Sequence, residues 1–137
     1  MLSPTLPDNI GPARAAVAAA ATAQIGAPYR YGGSDRKGFG DAGLVRFVYA
    51  QAGFNIPGQV HGLLRAGKSI DFAQAKPGDL LFYRLPVINE FRPLHVGIYV
   101  GDGEMVHAIA DRDEVALASV GSKFWRERLV AVIQILP

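Results

Sequence analysis

Three histidines stand at positions 61, 95 and 107, and the 137-residue chain has no cysteine. The missing thiol excludes disulfides, thiolate metal sites and cysteine nucleophiles together. Chemistry is left to imidazoles and carboxylates. His95 and His107 flank Gly101-Asp102-Gly103 between two strand-like runs, and Asp41 stands at the head of an apolar helical run. Two histidines and a carboxylate are a familiar metal-ligand set. His61 sits in a polar helical stretch and is expected at the surface.

The hairpin imposes a spacing condition. If His95 and His107 act together, they must share one face of a sheet. That requires an even-sum register, such as Val100 opposite Glu104 around a three-residue loop. Gly97 then faces His107, and His95 lies diagonal to it at about 7–8 Å. A two-residue Asp102-Gly103 turn would shift the register by one and separate the histidines. The longer loop is therefore expected.

The elements that must position these residues follow from pattern. Residues 1–11 read as an extended arm. Pro12 to Gln24 is Ala-rich and helical, with Pro in its first turn and Gly26 past its end. A Gly- and Tyr-rich loop follows to Gly40. Asp41 is a good N-cap for a helix from Ala42 to about Ala52, stopped by Gly53. Its apolar residues cover most of its circumference, as in a buried central helix. A short polar helix is expected from Val60 to Ala66. Strands are expected at Asp79–Tyr83, His95–Val100, Glu104–Ala110, Val115–Val120 and Leu129–Leu136. Trp125 should anchor the last strand to the core, and Glu90 and Arg92 fall in a solvated loop. Helices first and an antiparallel sheet second make one α+β domain over residues 1–137.

Bulk composition narrows the functions. Half the residues are hydrophobic, and nothing in the composition suggests disorder. The net charge is only +2 and the basic residues are scattered, so nucleic acid is not an expected partner. The run Arg14–Ala23 is too poor in Leu, Ile and Phe for a secretion leader. No stretch is long and apolar enough to span a membrane as a helix.

From Gly26 onward the chain resembles the NlpC-type, papain-like cell-wall endopeptidases. Gly26-Ala27-Pro28-Tyr29-Arg30-Tyr31-Gly32-Gly33, then Gly38-Phe39-Gly40-Asp41-Ala42-Gly43-Leu44-Val45, match a pattern that in the family runs through D-C-S-G. Pro77-Gly78-Asp79-Leu80-Leu81-Phe82, His95-Val96-Gly97-Ile98-Tyr99-Val100-Gly101 and Met105-Val106-His107-Ala108 match three more motifs in order. The resemblance implies helices packed on a central antiparallel sheet of five to six strands. It also implies nucleophilic attack on the γ-D-glutamyl to diamino-acid bond of peptidoglycan stem peptides. Carried over by position, the nucleophile falls on Asp41, the base on His95 and the residue orienting the base on His107. Tyr29, Tyr31, Gly43 and Leu94 fall at positions expected to contact substrate. No cofactor is implied, and the relay of the family does not converge on a metal.

The departures cluster where the chemistry should be. Gly40-Asp41-Ala42-Gly43 replaces D-C-S-G, Leu94 replaces a polar residue before the base, and Gly58-Gln59-Val60 replaces R-T-S. Several neighbouring changes point to natural divergence, not a single knock-out. A carboxylate attacks an amide poorly, since the product would be a mixed anhydride. Asp41 reads more simply as a helix cap, placed to pair with His95. The expected function is an inactive homologue that binds stem peptides, located in the periplasm or outside the cell, with a monomer as default. Two alternatives remain: a hydrolase using an altered Asp41, His95 and His107 site, and a protein-interaction scaffold. An open cleft between Tyr29 and His95 would favour peptide; a filled one would favour a scaffold.

Overall fold

The computed structural model describes residues 10–86 and 94–137. The N-terminal arm to residue 9 and the loop holding Glu90 and Arg92 lie outside the described residues. The chain runs through α1 (Pro12–Ala23), β1 (Ser34–Asp35), β2 (Gly38–Phe39), α2 (Asp41–Gln51), α3 (Val60–Leu64) and β3 (Lys68–Ile70). It continues through β4 (Leu80–Arg84), β5 (Leu94–Gly101), β6 (Glu104–Ile109), β7 (Glu114–Ser119), α4 (Lys123–Arg126) and β8 (Leu129–Gln134). Six strands form one antiparallel sheet in the order β3-β8-β4-β5-β6-β7. The α+β architecture expected from the sequence is the observed one.

Strand alternation sorts the sheet into two faces. Leu80, Phe82, Val96, Ile98, Val106 and Val115 pack with Val17, Ala21, Leu44, Val45 and Val48 from α1 and α2. Leu81, Tyr83, Met105 and Val132 form a second cluster with Trp125 against it. His95 and His107 fall on this second face, because Tyr83 pairs with His95 and the alternation continues through Met105 and His107. A buried ion pair ties the ends of the domain together. Arg14 donates to Asp79 Oδ1 at 2.8 Å, to Pro77 O at 3.0 Å and to Leu136 O at 2.8 Å. One guanidinium thus joins α1, the turn before β4 and the C-terminal segment.

Three local expectations need correction. Gly40, not Asp41, is the N-cap of α2, and Asp41 is its first helical residue. The β5–β6 connection is a two-residue turn, with positive φ at Asp102 (54°) and Gly103 (72°) as a type I′ turn requires. The even register nevertheless holds: Ile98 pairs with Val106 and Tyr99 with Met105, before a bulge shifts the pairing to Gly101 opposite Glu104. The bulge supplies the odd residue that the loop was expected to supply. Finally, the edge strand β3, the small β1–β2 pair and α4 carried too few residues for a periodic signal.

Candidate functional site

The start of α2 is fixed by the glycine-rich loop before it. Gly40 N–H donates to Gly33 O at 2.9 Å, and Phe39 N–H to Pro28 O at 2.9 Å. A Cβ on Gly43 would collide with the Gly33 carbonyl oxygen, so glycine there lets the loop lie against the helix. This aims the first residue of α2 at the start of β5. Asp41 Oδ1 accepts from Ala42 N–H at 2.8 Å, and Oδ2 accepts from Val96 N–H at 3.4 Å. The positive end of the helix adds to these donors.

Asp41, His95 and His107 form a row. His95 Nδ1 lies 3.2 Å from Asp41 Oδ2, and His95 Nε2 lies 2.9 Å from His107 Nδ1. All three residues are buried, at 4, 5 and 2 % exposure. Register explains the second contact: extending the β5–β6 pairing by one residue sets Gly97 opposite His107. A Cβ on Gly97 would stand 3.3 Å from His107 Cβ, which shows how closely the two strands hold that ring. The two outer groups sit on opposite nitrogens of His95, so the three do not converge on one point as metal ligands must.

Hydrogen-bond chemistry dictates the protons. An ionised carboxylate only accepts, so His95 Nδ1 carries hydrogen and donates to Asp41. The lone pair of that nitrogen, the one aimed at position 41, is therefore not available to take a proton from an attacking group. His107 is a weak base in this setting. Burial above all, then the neighbouring His95 and Arg112, push its pKa from 6.5 down to about 3 against the opposite pull of Asp41. It is neutral at physiological pH.

Trp125 was expected to anchor the last strand, and it also faces the site. Its ring stands 5.9 Å from that of His95 and 5.1 Å from that of His107, and 4.8 Å from Tyr83. A cleft of about 710 Å³ opens at the row, within the usual size of ligand pockets. Tyr29, Asp41, Leu94, His95 and His107 all line it. Tyr31, 69 % exposed, and Gly43 lie outside its lining. His61 is exposed on α3. Arg112, Leu117, Phe124 and Trp125 also line the cleft, and sequence reasoning did not assign them to it. An aromatic pair inside the polar stretch Ser122–Glu127 was the available signal for the last two.

A profile of the NlpC/P60 family matches residues 26–134. A "Probable endopeptidase" of Mycobacterium tuberculosis is 39% identical over 102 residues, covering 74% of this chain and 25% of that protein. Murein DD-endopeptidase MepH of Escherichia coli is 32% identical over 117 residues, covering 82% of this chain and 42% of that protein. The chain thus spans a quarter to two-fifths of these relatives' length. Among solved structures, the NlpC/p60 domain of the peptidoglycan hydrolase SagA is 36% identical with a TM-score of 0.74, over 88% of this chain and 97% of that one. RipD of Mycobacterium tuberculosis, a non-catalytic NlpC/p60 domain protein adapted to peptidoglycan binding, shares the fold. Its TM-score is 0.73 at 24% identity, over 92% of this chain and 99% of that one.

Proposed function

The chain belongs to the NlpC/P60 family, and from that premise we propose that it binds the stem peptide of peptidoglycan without cutting it. One observation carries this reading: the Asp41 carboxylate, at the position where the family motif has its nucleophile, lies 3.2 Å from His95 Nδ1. Two requirements of the family's chemistry are then missing together. The group at position 41 is a poor nucleophile toward an amide. The imidazole nitrogen facing it is already protonated, so it cannot serve as a base there.

Binding needs neither. The cleft between Tyr29 and His95 offers room for several residues of an extended peptide, with apolar walls from Leu94, Phe124 and Trp125. That RipD has the same fold gives this reading a precedent at the level of architecture. A cell-wall ligand puts the domain in the periplasm or outside the cell.

Co-sedimentation with insoluble peptidoglycan and calorimetric titration with synthetic stem peptides test the proposal, beside digestion of the same wall followed by chromatography. Binding with no released muropeptide is the expected pair of results. Release that disappears in His95→Ala would establish an altered hydrolase instead. No binding at millimolar peptide would leave the apolar walls to a protein partner.

A further inference from the structure

β7 is one edge of the sheet. An antiparallel edge strand bonds its neighbour through alternate residues and turns the backbone groups of the others outward. In β7 the alternation is fixed at both ends. Val120 N–H donates to Gly103 O at 2.9 Å, directly across in the β6–β7 register, so Val120, Ala118 and Ala116 bond toward β6. Val115 faces the other way. Its N–H donates to Ala27 O at 2.8 Å, and its carbonyl accepts from Gly26 N–H at 2.9 Å. The Asp113 carbonyl likewise accepts from Tyr29 N–H at 3.0 Å. Residues 26–29 thus add a short antiparallel segment to the first half of this edge. Leu117 and Ser119 share the outward parity and lie beyond that segment. Among the described residues nothing bonds Leu117 N–H or the Leu117 carbonyl, and the Ser119 carbonyl has only a 3.5 Å contact from Ser122 N–H.

An open edge is ordinarily guarded by charge, proline, a bulge or a covering segment. Val115-Ala116-Leu117-Ala118-Ser119 has no charge and no proline, and its pairing with β6 runs without a bulge. The unguarded stretch borders the cleft, whose lining includes Leu117 and Ser119 beside the wall of Phe124 and Trp125. Ala116 stands opposite His107 and Ala118 opposite Met105, so the edge presents only methyl groups on the cleft face and its backbone is approachable from there. Leu117 is 38 % exposed. We infer that Leu117 is a two-point backbone clamp for a peptide lying extended and antiparallel along β7. Its N–H donates to the carbonyl of one ligand residue, and its carbonyl accepts the N–H of the same residue. The inference rests on the peptide-binding reading and narrows it. Both bonds require an N–H and a carbonyl on either side of a single α-carbon. The γ-linked D-glutamyl residue of a stem peptide sets two further carbons between them, so the clamped residue is an α-linked one. Leu117 would thus be a specificity-determining residue that reads the ligand's main chain and not its side chains.

Amide hydrogen exchange, resolved residue by residue in the wild-type protein, is the first arm of the test. Without ligand, the amides of Ala116 and Ala118 should exchange slowly and that of Leu117 fast. A saturating synthetic stem tetrapeptide should slow Leu117 by about tenfold or more. The second arm measures affinity by titration. Leu117→Pro removes the outward N–H and spares the bonds to β6, as proline does on an edge strand. It should weaken binding of the tetrapeptide by about tenfold, whereas Leu117→Ala, which keeps the backbone, should bind within about twofold of wild type. Tetrapeptides with one amide N–H replaced by an ester oxygen probe the Leu117 carbonyl without altering the protein. The ester at one α-linked residue should cost about tenfold, and the ester at the nitrogen of the γ-linked glutamyl residue less than about twofold. A Leu117 amide that is already slow in the free protein overturns the inference whatever the protein binds. Tetrapeptide binding that leaves the Leu117 amide fast, or that survives every ester unchanged, overturns the clamp and leaves the proposed function standing. A wild type that binds no tetrapeptide overturns both.

Discussion

Acidification should destabilise this domain through His107. The folded imidazole has its pKa at about 3, against 6.5 for the ordinary ring. A folded pKa below the unfolded one means that the unfolded chain binds the extra proton. Stability is therefore fully present above pH 6.5 and is lost as pH falls toward 3. At pH 5 the unfolded ring is almost wholly protonated and the folded ring almost wholly neutral. The gap of about 1.5 pH units below 6.5 then corresponds to a loss of about 2 kcal/mol. Urea unfolding followed by tryptophan fluorescence suits the measurement, because Trp125 is the sole tryptophan and packs on both imidazoles. Wild type should lose about 2 kcal/mol more than His107→Gln between pH 8 and pH 5. Equal losses in the two proteins would refute the reasoning and place the proton elsewhere.

Asp41→Cys should place a thiol at the head of α2 beside His95 Nδ1. Its alkylation by iodoacetamide should persist below the pH at which free cysteine stops reacting, and His95→Ala should abolish that advantage; an ordinary pH profile would count against the geometry. Gly43→Ala should destabilise by about 1–3 kcal/mol in urea, since its Cβ meets the Gly33 carbonyl and not a movable side chain. Arg14→Met should cost about 3–5 kcal/mol by stranding the buried Asp79, and Arg14→Met/Asp79→Leu should recover much of it. If the double variant is no better than the single one, the ion pair is not the reason.

How much was legible depended on how each feature is encoded. The long apolar periodicities of α1, α2 and the strands β4 to β8 declared themselves, because one helical stripe or one strand alternation spans enough residues to be counted. The positions of Asp41, His95 and His107 were legible through motifs that fall in α2, β5 and β6. The tiny elements were not. Two-residue strands and the four-residue α4 exist through contacts made after folding, so Trp125 was expected in the core and its place over both histidines stayed hidden. Arg14 looked like one basic residue ahead of an alanine run. Its five-way clamp on Asp79, Lys76, Pro77, Leu136 and Pro137 joins segments up to 123 positions apart. No local pattern encodes such a contact.

The bulge between Tyr99 and Gly101 makes the alignment of His95 with His107 a matter of counting. Substitutions in the turn leave that count intact, within the few residue types that accept the positive φ at Asp102 and Gly103. Removing a single residue there is a different kind of change. It would turn every side chain of β6 to the opposite face, sending His107 toward the helices and Val106 toward the cleft. The frame of the site is thus kept by the number of residues between the two strands, a property that tolerates drift in composition and does not tolerate a change in length.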